Sequence, residues 1–525
     1  MKFNLNIRKN NITNHAGSKA WQLTPELELY TAVATTMLSD THYESGDERL
    51  QRVQTLLEQV SPLFVARLAV YARTRLNLRT IPLVLTTGLA RMHKGDDLVR
   101  RTVRKVIQRP DEIMELLACY QALNGRTGTK KLKGISKQLQ KGLADSFNNF
   151  DEYQFAKYNR DNEVKLRDAL FIVHPKAKDE AQQALFDRIA AQQMAVPLTW
   201  ETELSALGQQ KFECPEDKAA AFRNKWEALI DNGTLGYMAL LRNLRNIVEA
   251  GVSAEHVGKV CARLADAGAV ARSKQLPFRF LAAYRELKSI DTGYRIVLFK
   301  ALEQALQHAV ANIKGMDIQT RVVIACDVSG SMQVPVSAKS KVLLYDIGLL
   351  MGMLLQSKCK NVYTGMFGDT WKMVQLPESG ILANVDAMYA REGEVGYSTN
   401  GYLVIKDLVT RRQVADKVML FTDMQLWDSQ ASQGVQGGLY GGNNQDALYG
   451  VAGNNLAAQW AEYKKIAPAA QLYLFDLAGH GQAPVRVERN DVYLVAGWSD
   501  KVFDIMEALE NGADIITEIE NCVDV

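Results

Sequence analysis

Asp327-Val328-Ser329-Gly330-Ser331 places one carboxylate and two hydroxyls at alternate positions directly behind the apolar run Val322-Val323-Ile324-Ala325-Cys326. Such a run has the pattern of a strand buried on both faces. Ligands in open α/β sheets bind at the carboxyl ends of strands. All three side chains offer hard oxygen, which suits Mg²⁺ or a similar divalent cation better than zinc. Gly330 is expected to bend the backbone so that the three converge. A second apolar run, Val418-Met419-Leu420-Phe421, ends in Thr422-Asp423, and the polar turn Gly396-Tyr397-Ser398-Thr399-Asn400 offers another hydroxyl. The expected metal ligands are therefore Asp327, Ser329, Ser331, Thr399 and Asp423. That shell is incomplete for an octahedral ion and leaves room for water or an outside carboxylate. A turn followed by a helix cap would use the same residue types, and the second strand-end aspartate favours the cation. No nucleophile–base pair accompanies the group and the seven histidines are dispersed, so no catalytic residues are expected.

The elements that must position this group begin near residue 318. Candidate strands at 320–327, 361–367, 372–376, 417–422, 471–476 and 492–496 alternate with helical patterns at 338–356, 400–410, 453–465 and 499–510. That alternation predicts a doubly wound α/β sheet. The Gly-, Asn- and Gln-rich stretch 429–455 reads as a long loop. Upstream the periodicity is helical throughout, with Ser61-Pro62 as a cap and first-turn proline. Further helices are expected at 26–38, 47–59, 81–93, 96–107, 111–122, 164–172, 179–193, 217–230, 235–249, 255–267, 276–288 and 296–313. Short helices in series suggest a HEAT-like stacked array. The expected division is a helical-repeat domain over 1–315 and an α/β domain over 316–525.

Charge follows the same division. Residues 1–315 carry 46 Lys and Arg against 34 Asp and Glu, and the remainder carries 16 against 25, within a net charge of +3. A basic half points to a polyanionic partner. Arg126 to Lys141 holds Arg126, Lys130, Lys131, Lys133, Lys137 and Lys141 with no acidic residue. Lys137 and Lys141 share a helical face that could follow phosphates. Phe147, Phe150, Tyr153, Phe155, Lys157, Tyr158 and Arg160 then interleave aromatic and basic side chains, a pattern suited to single-stranded nucleic acid. Those aromatics could equally form core. An earlier cluster, Arg100, Arg101, Arg104, Lys105 and Arg109, reads as part of an amphipathic helix. Scattered cysteines without a CxxC pair, no membrane-length apolar run and no secretory leader suggest a cytoplasmic protein with reduced thiols.

The DxSxS run with Thr399 and Asp423 resembles the von Willebrand factor A domain and its metal-ion-dependent adhesion site. It departs from that family in having Tyr397-Ser398 where a double glycine usually precedes the threonine. A helical domain ahead of an A domain resembles the Ro autoantigen family with its TROVE module. The matching segments are Gly134–Ala144 with Asp145-Ser146-Phe147, Lys165–Leu170 running to His174-Pro175-Lys176, Trp226–Ile230, Met238–Arg245 and Leu276–Arg279. The resemblance implies a closed HEAT-like ring, Y-type noncoding RNA on an outer basic surface and the ends of misfolded RNA in a central hole. Carried onto this sequence, it implies RNA contact by Lys130, Lys133, Lys137, Lys141, Arg167 and His174. It further implies a monomer without catalytic activity, acting in RNA quality control with an exoribonuclease or other RNA-processing partner. The other reading is a Mg²⁺-dependent adaptor whose A domain grips an acidic group.

Overall fold

The computed structural model describes residues 9–15, 18–35, 44–124, 135–159, 163–311, 319–336, 340–377, 379–427, 455–485, 491–497, 505–506, 515–522 and 525. Contacts divide the chain into two units, Met1–Val53 with Leu264–Glu518 and Gln54–Arg263 with Ile519–Val525. The units therefore do not follow a single break at 315.

The unit built on 54–263 is a succession of helices. Ser61 caps Pro62–Thr74 by accepting from the Phe64 amide at 3.2 Å, with Pro62 in the first turn. Leu98–Val106 packs along Lys137–Phe147. They approach closely because Gly142 lacks a Cβ, which would lie 2.6 Å from Val103 Cβ. Arg73 and Glu112 form a buried ion pair at 2.7 Å. The second Glu112 oxygen accepts from the Gln108 and Arg109 amides, at 2.8 and 3.0 Å. The periodic stretch at 235–249 is two helices, Tyr237–Arg242 and Leu244–Glu249. Asn243 breaks it by turning its side-chain amide onto the Ala239 carbonyl at 2.8 Å, competing with the backbone.

In the other unit the strands are β1 Lys9–Thr13, β2 Lys19–Gln22, β3 Arg321–Asp327, β4 Asn361–Phe367, β5 Trp371–Met373, β6 Lys417–Thr422, β7 Gln471–Asp476, β8 Gln482–Ala483 and β9 Val492–Ala496. Six form one sheet in the order β5-β4-β3-β6-β7-β9, parallel except for β5. Helix Leu344–Lys358 lies against β3 and β6. Gly352 allows that approach, since a Cβ there would meet Ile324 Cγ2 at 2.8 Å. Helices Phe278–Lys288 and Arg295–Ala311 belong to this unit as well, although their periodicity matches that of the helical half. Arg285 holds Asp346 of the central helix through two bonds of 2.7 Å. The small sheet β1-β2-β8 had no sequence signal strong enough to expect it.

The loop expected at 429–455 lies outside the described residues except for Asn455, which caps Leu456–Ile466. The helix expected at 499–510 also falls almost wholly outside them. Among the described residues, no helix is long and apolar enough to cross a membrane. Cys119, Cys214, Cys261, Cys326 and Cys359 stand as thiols rather than in disulfides.

Candidate cation site and nucleic-acid interface

β3 and β6 are neighbours in the parallel sheet, so Asp327 and Thr422-Asp423 emerge side by side at its carboxyl edge. Asp327, Ser329, Ser331, Thr399 and Asp423 are all buried. The Asp327 carboxylate accepts from the Ser329 amide at 2.9 Å and from the Thr422 hydroxyl at 2.6 Å. The Ser329 and Ser331 hydroxyl oxygens stand 3.2 Å apart. The Thr399 loop is pinned to both strand ends: the Gly330 amide donates to the Tyr397 carbonyl at 3.2 Å, and the Trp427 amide to the Thr399 carbonyl at 3.0 Å. The Asp423 carboxylate accepts from the Gln425 amide at 3.0 Å.

The glycine that matters here is not the one expected. Gly330 opens a short 3₁₀ turn over Gly330–Met332, and a Cβ there would meet nothing. It is Gly396, two residues before Ser398, that adopts a left-handed φ of 73°, with the Asp369 side chain where its Cβ would stand.

Burial raises the Asp327 carboxyl well above the usual carboxylate range, and the nearby Asp423 charge adds to the rise. Two desolvated carboxylates with three hydroxyls form an oxygen-only donor set that a hard divalent cation would relieve. Among the described residues, no three His, Cys, Asp or Glu side chains are placed to share a metal. The hydroxyls would therefore have to be ligands rather than bystanders.

Two features of this region escaped the sequence reading. Asp476, at the end of β7, is a third buried strand-end carboxylate. It accepts from the Ala478 and Gly479 amides at 3.0 and 2.7 Å, and burial pushes it up to about 7. Its signal was present, since Leu472-Tyr473-Leu474-Phe475-Asp476 repeats the pattern of an apolar run closed by aspartate. The second feature is a strap from the N-terminal segment. Asn14 donates its side-chain amide to the Leu426 carbonyl at 2.9 Å, and the His15 amide donates to Gln425 Oε1 at 2.7 Å. The loop carrying Asp423 is thus clamped by residues some four hundred positions upstream.

In the other unit, Lys130 and Lys133 lie outside the described residues. Lys137 and Lys141 are exposed on helix Lys137–Phe147, while Leu139, Leu143 and Phe147 of the same helix are buried. Between the two lysines, Gln140 donates to the Ile172 carbonyl at 2.8 Å and so ties this helix to Leu166–Val173. Arg167, Phe171 and His174 stand exposed along that second helix at positions i, i+4 and i+7, one face. The Arg167 guanidinium lies 5.6 Å from the Phe171 ring centre, and the ring is 50% exposed. His174 ends the helix in a left-handed conformation. Lys176 and Lys178 follow, also exposed and held by hydrogen bonds to Asn148. The four described residues of the expected RNA set are thus brought onto adjoining helices.

The aromatic interleaving is corrected in part. Phe147, Phe150 and Phe155 are core, packed ring on ring at 5.6 and 5.8 Å, because a helix turns every third or fourth residue inward. Tyr153 remains outside, 49% exposed, with Lys157 Nζ 5.8 Å from its ring centre. Phe171, hidden in the apolar string Leu170-Phe171-Ile172-Val173, was not singled out. The earlier arginine cluster is largely committed within the chain: Arg100 to Asp145, Arg101 to Asp97, and Arg109 to Asp111.

The TROVE domain model matches residues 27–220 and 190–295, together just over half of the chain. Telomerase protein component 1 of Rattus norvegicus and of Mus musculus are each 26% identical to it over 352 residues, 51% of this chain. The chain spans only 13% of the length of those relatives. The crystal structure of the Deinococcus radiodurans Ro (RSR) protein matches with a TM-score of 0.57, covering 93% of this chain and 100% of that one. At 19% identity that likeness establishes the fold. The matched segments take in the basic helix pair as well as helix Phe278–Lys288 of the sheet unit, and the chain belongs to the TROVE-domain family.

Proposed function

We propose that this chain is a non-catalytic RNA-binding protein that holds structured noncoding RNA of the Y type on its helical unit. Membership of the TROVE family supports RNA binding. The observation that supports the assignment to a surface is the exposure of Lys137 and Lys141 on one helix and of Arg167, Phe171 and His174 on the next, the two helices being tied by Gln140. Exposed lysine and arginine heads neutralise phosphates without reading sequence, which suits recognition of folded RNA by backbone and shape. Phe171 and Arg167 together offer a platform on which an unstacked base can lie. The protein would then act in RNA quality control or processing, in the cytoplasm, beside a ribonuclease that supplies the chemistry.

In the sheet unit, Asp327, Ser329, Ser331, Thr399 and Asp423 would hold Mg²⁺ or a similar cation. Such an ion supplies positive charge at a position open to an outside carboxylate. This supports a second activity, cation-dependent docking of an acidic protein group, and the buried pair Asp327 and Asp423 is what favours it.

Sequencing the RNA that co-purifies with the full chain tests the proposal. Enrichment of a small set of structured noncoding RNAs, lost from a Lys137→Glu, Lys141→Glu variant, is the expected result. Recovery of no RNA above background, with partners released by EDTA alone, would leave the adaptor reading in its place.

A further inference from the structure

The edge of the parallel sheet is only half covered. β5 pairs with Gly365, Met366 and Phe367 of β4, and the Val374 amide reaches the Thr364 carbonyl at 2.8 Å. Asn361, Val362 and Tyr363 pair with β3 on their inner side, and among the described residues no strand pairs with them on the outer side. Backbone groups of successive strand residues point to opposite sides. Since the Thr364 carbonyl faces outward to Val374, the Val362 amide and carbonyl face outward too. They open into a cavity of about 610 Å³ lined by Lys360, Val362, Tyr363, Gln375, Arg411 and Gln413 among others. A second cavity of about 550 Å³ shares Gln375 and Arg411 and adds Trp371, Lys372 and Arg391. Gln413 Nε2 is buried there with no hydrogen-bond partner.

The lining of both cavities is basic, with Lys360, Lys372, Arg391 and Arg411 and no acidic side chain. Glu394 pairs with Lys372 and Arg391, and Asp407 with Arg411, so two acids offset part of the charge of the four bases. The stretch from 316 onward is acidic as a whole, so a basic trough on it is against the local trend.

We infer that this trough takes an acidic, extended segment of a protein partner by strand addition at Asn361–Tyr363. Main-chain bonds to Val362 supply the pairing, and alternate acidic side chains meet the basic lining. An open strand edge favours a peptide over a single-stranded nucleic acid, whose sugar–phosphate backbone has no repeating amide to pair with it. The site lies away from Asp327 in the sheet topology, on the outer side of β4, so the interaction needs no cation.

The test uses the full chain in EDTA and a fluorescein-labelled peptide of alternating Glu and Val, followed by anisotropy. Saturable binding is expected, weakened at least about tenfold by Lys360→Glu with Arg411→Glu. On the unmodified protein, a peptide of the same sequence N-methylated at alternate residues should also fail, because it cannot pair with the edge. Absence of binding would overturn the inference. So would retention of the N-methylated peptide, displacement by oligouridylate at lower concentration than by unlabelled peptide, or loss of binding in Asp327→Ala.

Discussion

On the helices Lys137–Phe147 and Leu166–Val173 the charged groups stand in water, whereas at the ends of β3 and β6 they are buried. An exposed lysine keeps its hydration until a phosphate arrives, costs little to hold, and loses its grip as salt rises. A buried carboxylate has already lost its water, and a second one beside it makes the folded state worse until a cation comes. On the proposed reading the helical unit would bind broadly and reversibly, while the sheet unit carries an electrostatic cost that a proton or the proposed cation would relieve. The supporting shells differ accordingly. Gln140 and Asn148 merely align the basic helices, whereas Thr422, Tyr397, Trp427 and the Asn14 strap lock the carboxylate loops from several directions.

Breaking each shell separately sharpens that contrast. The largest effect is expected from Glu112→Ala, which strands the Arg73 charge inside the helical unit. Leaving one member of a buried pair costs about 3–5 kcal/mol. Thermal unfolding should show that loss, together with weaker RNA binding. The stabilisation conferred by Mg²⁺ should be unchanged.

Asp327→Asn acts in the opposite sense. In EDTA it removes a buried charge, so the sheet unit should melt no lower than the unmodified protein. In Mg²⁺ it should lose the ligand-induced gain, about 2.7 kcal/mol when the ion is present at about a hundred times its dissociation constant. A variant that melts lower in EDTA and keeps its Mg²⁺ response would deny that the pair is strained.

Phe171→Ala tests the platform. Removing a base-stacking aromatic costs about 1–3 kcal/mol, and the loss should be seen with RNA carrying an unpaired end and be nearly absent with a blunt duplex. The smallest effect is expected from Asn14→Ala, where one buried hydrogen bond of about 1 kcal/mol is at stake. Its signature is a weaker Mg²⁺ response measured by calorimetry, without any change in RNA affinity.

β3, β6, β7 and β9 were legible because each is a largely apolar run, and β3 and β6 carry their aspartates in the sequence itself. The small sheet was not, since β1 and β2 are short and polar, and the further partner of β2 is β8, far along the chain. Periodicity also could not tell which unit a helix serves. Phe278–Lys288 looks like any other amphipathic helix until Arg285 is seen to meet Asp346. The same limit applies to the site: spacing put Lys137 and Lys141 on one face, but it did not distinguish buried Phe147 and Phe155 from exposed Tyr153 and Phe171. Composition identifies an aromatic, and only packing decides whether it faces a base or the core.

The most direct test of the account is a salt titration of RNA affinity for three proteins, unmodified, Lys137→Glu with Lys141→Glu, and Asp327→Ala, with one structured RNA. The double lysine variant should bind more weakly, with the slope of log affinity against log salt reduced by about two. Asp327→Ala should overlay the unmodified protein. Equal slopes for the lysine variant, or a loss of RNA binding confined to Asp327→Ala, would contradict it.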